Sequence, residues 1–148
     1  MIFDHIGIFV SDIETGRRQL HALLPIERWT EVIDDPGMNI RVQFGIDGSA
    51  VRYELVAPLA EPNPVSGVLA TGKNILNHVA YRCGDLESAM DQLRRQGAVP
   101  LGRPQAALAF GGNRVTFYLT PLRFIIELVE DKTEHAEQSN RGRRDDER

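Results

Sequence analysis

The chain has 148 residues, of which 42% are hydrophobic and 26% charged; this suffices for one globular domain with a core and excludes a fibrous, low-complexity or membrane-embedded polymer. Lys and Arg total 17 against 21 Asp and Glu, a net charge of -4 with both signs dispersed, so no nucleic-acid stripe or polybasic membrane anchor is present and a small-molecule partner is expected. Cys83 is the single cysteine, which excludes an internal disulfide and reads as a buried thiol, and the opening MIFDHIG carries no signal-like or spanning run, so a cytoplasmic location is expected.

Phe3 to Val10 form an apolar, β-rich run. Ser11 and Asp12 then open a helix that carries Ile13, Leu20, Leu23 and Leu24 inward and stops at Pro25. His21, on that helix, reads as a structural or surface histidine. Further extended segments close a first module at 3–58, and EPNPVSG, with two prolines, marks an exposed connection within 59–75.

A second module, 76–130, opens with the strand NHVAYR from Asn77. Asp85 caps a helix with Leu86, Ala89, Met90 and Leu93 at helical spacing, Gly97 terminates it, and extended segments at 114–119 and 124–130 follow. The two modules make one domain over 1–130. From Asp131 the sequence DKTEHAEQSNRGRRDDER has almost nothing to bury, so 131–148 is expected to be a disordered charged tail in which His135 is no ligand.

Sliding the chain on itself by 73 residues superposes the modules without a gap. His5 falls on His78, Asp12 on Asp85, Gln19 on Gln92, Arg41-Val42 on Arg114-Val115, Phe44 on Phe117, and Glu54-Leu55-Val56 on Glu127-Leu128-Val129. Helical coincidences such as Leu20 with Leu93 reflect generic amphipathic design. The polar coincidences do not: each module has a histidine in its first strand and a glutamate in its last, 49 residues apart both times.

Glu127 sits among Phe124, Ile125, Ile126, Leu128 and Val129, where an unpartnered carboxylate would cost several kcal/mol. A bland reading turns both glutamates to solvent by strand alternation. Four matched positions favour instead a common divalent ion held by His5, Glu54, His78 and Glu127, a set suited to Co, Ni, Zn, Mn or Fe(II) with open positions left. Alternation places Phe3, His5, Gly7 and Phe9 on one face of the first strand, with His78, Ala80 and Arg82 on one face of its counterpart. The small Gly7 and Ala80 leave room beside the imidazoles. Asn113 and Arg114, after Gly111-Gly112, offer donors to a substrate carboxylate or phosphate. Trp29 and Phe44 read as core residues beside the pocket.

The stretches DHIGIFVSD (4–12), YELVAP (53–58), NPVSGVLATGKNILNHVAYRCGDLESAMDQLRRQG (63–97), GGNRVTF (111–117) and IIELVE (125–130) resemble the vicinal oxygen chelate superfamily of glyoxalases and dioxygenases. Within it they are most similar to the methylmalonyl-CoA epimerases. The resemblance implies an α+β fold of two tandem βαβββ modules, forming an incomplete eight-stranded barrel-like sheet around a metal site. It also implies an isomerase that removes a proton next to a carbonyl, with Glu127 as a base as well as a ligand. The implied substrate is a small acyl or 2-oxo acid, including CoA thioesters, and a homodimer is expected from edge strands.

The chain departs from the epimerase pattern at three places. Where that family has a glutamine ligand this chain has Glu54, the choice seen in glyoxalase I. Gln43 stands at the second catalytic position, where its amide cannot take and return a proton. The turn LTPLRF lacks a Lys-bearing loop. Alternatives are an Fe(II) dioxygenase, which needs only two histidines and one carboxylate, and a non-catalytic drug-binding module.

Overall fold

The structure is a computed structural model and describes residues 1–133; most of the expected tail, with His135, lies outside the described residues. The first half consists of β1 (Ile2–Phe9), α1 (Ile13–Leu23), β2 (Ile26–Trp29), β3 (Ile33–Asp35), β4 (Ile40–Asp47) and β5 (Arg52–Pro58). After α2 (Ser66–Thr71) the second half consists of β6 (Leu76–Cys83), α3 (Leu86–Arg95), β7 (Val99–Pro100), β8 (Gln105–Ala106), a 3-10 turn (Leu108–Phe110), β9 (Arg114–Leu119) and β10 (Ile125–Glu130).

All ten strands join one curved, unclosed sheet in the order β2-β4-β5-β1-β6-β10-β9-β7, with β3 on β4 and β8 on β9. Since β2 with β3, and β7 with β8, each act as one interrupted strand, the sheet is eight positions wide, as the α+β module pair requires. At its centre β1 and β6 run antiparallel, His5 opposite Ala80 and Gly7 opposite His78, two pairs exchanged by the 73-residue shift. The sequence repeat is therefore a two-fold relation between strands.

The helices α1 and α3 cover one side of this sheet and leave the other largely open. Asp12 accepts from the Thr15 amide at 2.8 Å and Asp85 from the Ser88 amide at 3.0 Å, satisfying amides that a helix start leaves unpaired, worth about 1 kcal/mol each. α3 lays Leu86, Ala89, Met90 and Leu93 against Tyr118 and Leu128, while α1 lays Ile13 and Leu20 against Leu55 and Ala57. Burying each large apolar side chain contributes about 1.5–3 kcal/mol. Cys83 is buried in the α3 cluster, its thiol directed to the Val129 carbonyl at 3.6 Å. Because Leu55 and Leu128 face the helices, strand alternation turns Glu54 and Glu127 to the opposite, concave side.

Two sequence expectations change here. A register shift between Phe3 and His5 breaks the alternation at the head of β1, so Phe3 is 41% exposed against Tyr81, and Asp4 is buried beside His5. The connection between the halves is not wholly exposed. Val65 is completely buried and, with Val68 and Leu69, packs on Phe9, Val42 and Val56, closing one end of the concave face. Among the described residues no helix is long and apolar enough to cross a membrane.

Candidate metal centre

Four strands deliver the four side chains. Gly7 of β1 lies beside Glu54 of the parallel β5, and Ala80 of β6 lies beside Glu127 of the parallel β10, so each glutamate stands next to the histidine of the other half. His5, Glu54, His78 and Glu127 are all buried, and one ligand atom from each falls within 4.8 Å of all the others. Glu127 Oε2 is 3.0 Å from both His5 Nε2 and His78 Nε2, and Glu54 Oε1 is 3.6 and 3.5 Å from the same atoms. The two Nε2 atoms are 3.3 Å apart.

The chemistry of this donor set fits a divalent ion. Glu127 Oε2 is buried and makes no aligned hydrogen bond despite its short distances, an unsatisfied oxygen that a cation between the imidazoles would meet. Two imidazoles and two carboxylates are ordinary ligands for borderline and hard divalent metals. Each imidazole has its other nitrogen fixed: His5 Nδ1 lies 2.7 Å from Asp4 Oδ2, and His78 Nδ1 lies 2.9 Å from Asn77 Oδ1. Aromatic rings complete the walls, Phe110 stacked on His5 at 5.6 Å and Phe44 edge-on at 5.5 Å, with Phe117 edge-on to His78 at 5.3 Å.

The buried carboxylates favour charge on the two imidazoles. Burial alone would lower the pKa of His5, but Glu54, Asp4 and Glu127 outweigh it and push it up from 6.5 to about 12. Burial likewise opposes charge on His78, where Glu127 and Glu54 prevail and raise it to about 9. For Glu54 burial favours the neutral form, yet the two imidazoles hold its carboxyl well below the usual range.

Raised histidine values contribute stability that is complete below 6.5 and lost as pH climbs through about 9, then about 12. The lowered Glu54 value contributes stability that is present above 4.5 and lost on acidification below it. Metal-free protein is therefore expected to resist urea best near pH 5–6.5 and to lose on the order of 1–3 kcal/mol by pH 10. A metal must displace the imidazole protons, so Co(II) titration in weak buffer at pH 8 is expected to release about two protons per site. A flat urea midpoint and no proton release would contradict the arrangement.

A half-open cavity of about 570 Å³ leads to the cluster, with Glu54, His78 and Glu127 at its base and Phe9, Val42, Val56 and Phe117 among its apolar walls. Several expected site residues lie elsewhere. Gln43 pairs with Leu55, so it faces the α1 side; its amide donates to the Thr30 carbonyl at 2.8 Å, and it does not line the cavity. Arg114 is held by Glu130 and by Glu87 at 2.9 Å, outside the cavity. Asn113 lines a separate hollow near Asp4, Arg52 and Arg82, and Gly112 serves the turn with φ of 83°. Trp29 packs over Gly45 and near α1, whereas Phe44 touches His5.

Two cavity residues escaped the sequence reading. Asp35 is 4% exposed and is the one carboxylate of the lining besides Glu54 and Glu127; its oxygens accept from the Met38 amide at 3.2 Å and the Leu108 amide at 3.0 Å. In sequence it is the second Asp of DDPG, which reads as a turn. Arg103, exposed at the rim, is the one Arg or Lys among the lining residues described.

Residues 4–117 match the model of the glyoxalase/bleomycin resistance protein/dioxygenase superfamily. Among curated proteins, the ethylmalonyl-CoA/methylmalonyl-CoA epimerase of Cereibacter sphaeroides is 31% identical over 128 residues, 86% of this chain and 93% of that protein. The crystal structure of methylmalonyl-CoA epimerase from Mycobacterium tuberculosis superposes with a TM-score of 0.68 at 27% identity, covering 86% of both chains. A hypothetical protein from Bacillus halodurans superposes with a TM-score of 0.71 at 22% identity, covering 88% of this chain and 94% of that one, a likeness of fold.

Proposed function

The chain belongs to the glyoxalase/bleomycin resistance protein/dioxygenase superfamily, and on that footing we propose that it is a divalent-metal-dependent epimerase that removes and returns the proton next to the carbonyl of a malonyl-type CoA thioester. The observation that carries this reading is the convergence of His5, Glu54, His78 and Glu127, the last three of which line an accessible cavity. A divalent ion held there supplies a Lewis acid that polarises carbonyl oxygens and stabilises the negative charge that develops on them.

The chain's own residues do the rest. Glu127 lines the cavity and takes the α-proton on one face of the substrate. Asp35 is the remaining cavity carboxylate and returns a proton from the other, the role that Gln43 could not fill. The apolar walls, Phe9, Phe110 and Phe117 among them, lower the local polarity, which strengthens both electrostatic effects. Arg103 meets the anionic part of the thioester at the rim. Compared with a glutamine ligand, Glu54 adds negative charge, holding the ion more tightly while lowering its acidity. Four protein donors also suit an oxygen-activating iron centre less well than three, which disfavours a dioxygenase.

The test is deuterium exchange. Protein loaded in turn with Co, Ni, Zn, Mn or Fe(II) is incubated in heavy water with methylmalonyl-CoA or ethylmalonyl-CoA, and the expected result is deuterium at the α-carbon together with inversion. Asp35→Asn is expected to slow inversion by roughly 10²–10⁴-fold while exchange from one stereoisomer persists. Absence of exchange with every metal on both thioesters would sink the proposal.

A further inference from the structure

We propose that the two histidine limbs of the metal centre are unequal by construction, and that Asp4 is a positioning residue that sets the metal affinity through His5. This rests on the metal reading above and deepens it. The 73-residue repeat places Asp4 on Asn77, so the two ligand histidines are preceded by different acceptors. Asp4 presents a carboxylate to His5 Nδ1 at 2.7 Å, whereas Asn77 presents a neutral amide oxygen to His78 Nδ1 at 2.9 Å. A carboxylate fixes the tautomer, leaves Nε2 as the ligand atom, and makes the ring a stronger electron donor than an amide does.

The surroundings show that Asp4 is held in this role. It is 8% exposed because of the register shift between Phe3 and His5, and the adjacent strands β5 and β6 supply its two counter-charges. Arg52 Nη1 lies 3.2 Å and Arg82 Nε 3.1 Å from Asp4 Oδ1, leaving Oδ2 for the imidazole. Arg52 also lies over the Phe44 ring at 4.4 Å, and Arg82 reaches Asp131 at 3.1 Å, so neither arginine is free to swing away. Two arginines on one oxygen orient the carboxylate toward His5 Nδ1. Apart from His78, Asn77 has the nearby Asn74 carbonyl at 3.4 Å as its side-chain partner, and no charged group is paired with it among the described residues.

The experiment uses the full chain stripped of metal and titrated with Co(II), whose visible bands report both affinity and ligand field, with thermal unfolding of the metal-free protein alongside. Asp4→Asn is expected to weaken Co(II) binding by about 10–100-fold and to shift the bands, and Asn77→Ala to weaken it by less. Asn77→Asp, which leaves the arginine pair intact, is expected to tighten binding severalfold and decides the matter if Asp4→Asn does not fold. Unchanged affinity in Asp4→Asn, equal losses in Asp4→Asn and Asn77→Ala, or no gain in Asn77→Asp would each overturn the proposal. Wild-type protein that binds no Co(II) would instead overturn the metal reading on which it stands.

Discussion

Glu127→Ala is expected to yield a chain that still folds but binds its metal more weakly and exchanges no α-proton. The carboxylate is 2% exposed on β10, opposite Ala80 and Phe117, and no other side chain can take its place between the two Nε2 atoms. Its removal leaves two imidazoles 3.3 Å apart with Glu54 alone at 3.5–3.6 Å. His5, His78 and Glu54 remain as a three-donor set, so the ion is held more weakly rather than lost, and the base is lost with the ligand. Loss of activity should therefore exceed the roughly 10²–10⁴-fold attributable to a general base alone.

Stability should change in a characteristic way. Breaking a buried ion pair on one side commonly costs about 3–5 kcal/mol, but here His78 can shed its proton once Glu127 no longer holds it. The metal-free variant should thus lose most stability at low pH and approach wild type in the alkaline range. Glu127→Gln keeps the volume and separates the charge from the packing. Elemental analysis after dialysis, with proton exchange on the same samples, measures both effects. Unchanged metal affinity in Glu127→Ala would remove Glu127 from the ligand set.

Gly7→Ala is expected to do nearly as much damage with one methyl group. A Cβ built on Gly7 would lie 2.1–2.6 Å from the Cε1, Nε2 and Nδ1 atoms of His78, far inside van der Waals contact. The ring must rotate or the strands must part, and either movement takes Nε2 away from its three companions. Overpacking of this kind costs about 1–3 kcal/mol, and metal affinity should fall by two orders of magnitude or more, since a misdirected ligand contributes nothing to the ion.

Position 16 supplies a control of similar geometry without the chemistry. A Cβ on Gly16 would lie 2.7 Å from Val10 on the helix-covered side, so Gly16→Ala should lower the unfolding midpoint and leave Co(II) affinity intact. If Gly7→Ala and Gly16→Ala bind Co(II) equally well, the packing of His78 on Gly7 is irrelevant to the site. The repeat partner of Gly7 is Ala80, which already carries a methyl and is completely buried. The two imidazoles are thus seated differently, a second departure from symmetry beside the Asp4 and Asn77 pair.

How far the site could be read in advance depended on the kind of information each residue carries. His5, Glu54, His78 and Glu127 were legible because the same chemical types recur at the same interval in both halves, and packing alone does not demand that. The helix caps Asp12 and Asp85 were legible because a cap acts on amides two or three residues away. Gln43, by contrast, shares a strand with Phe44, and one step of alternation separates a residue against the metal cluster from one against Thr30. Arg114 looked available because Glu87 and Glu130, which engage it, lie 27 and 16 residues away.

The sequence by itself therefore determined the module pair, the helical faces and the four donors, since these follow from residue type and local period. Only the tertiary structure decided that Asp4 turns inward, that Asp35 joins the cavity, and that His78 rests on Gly7. Each of those depends on cross-strand register or on loop closure. Such contacts are fixed by where distant strands meet, and no local pattern along the chain encodes that meeting.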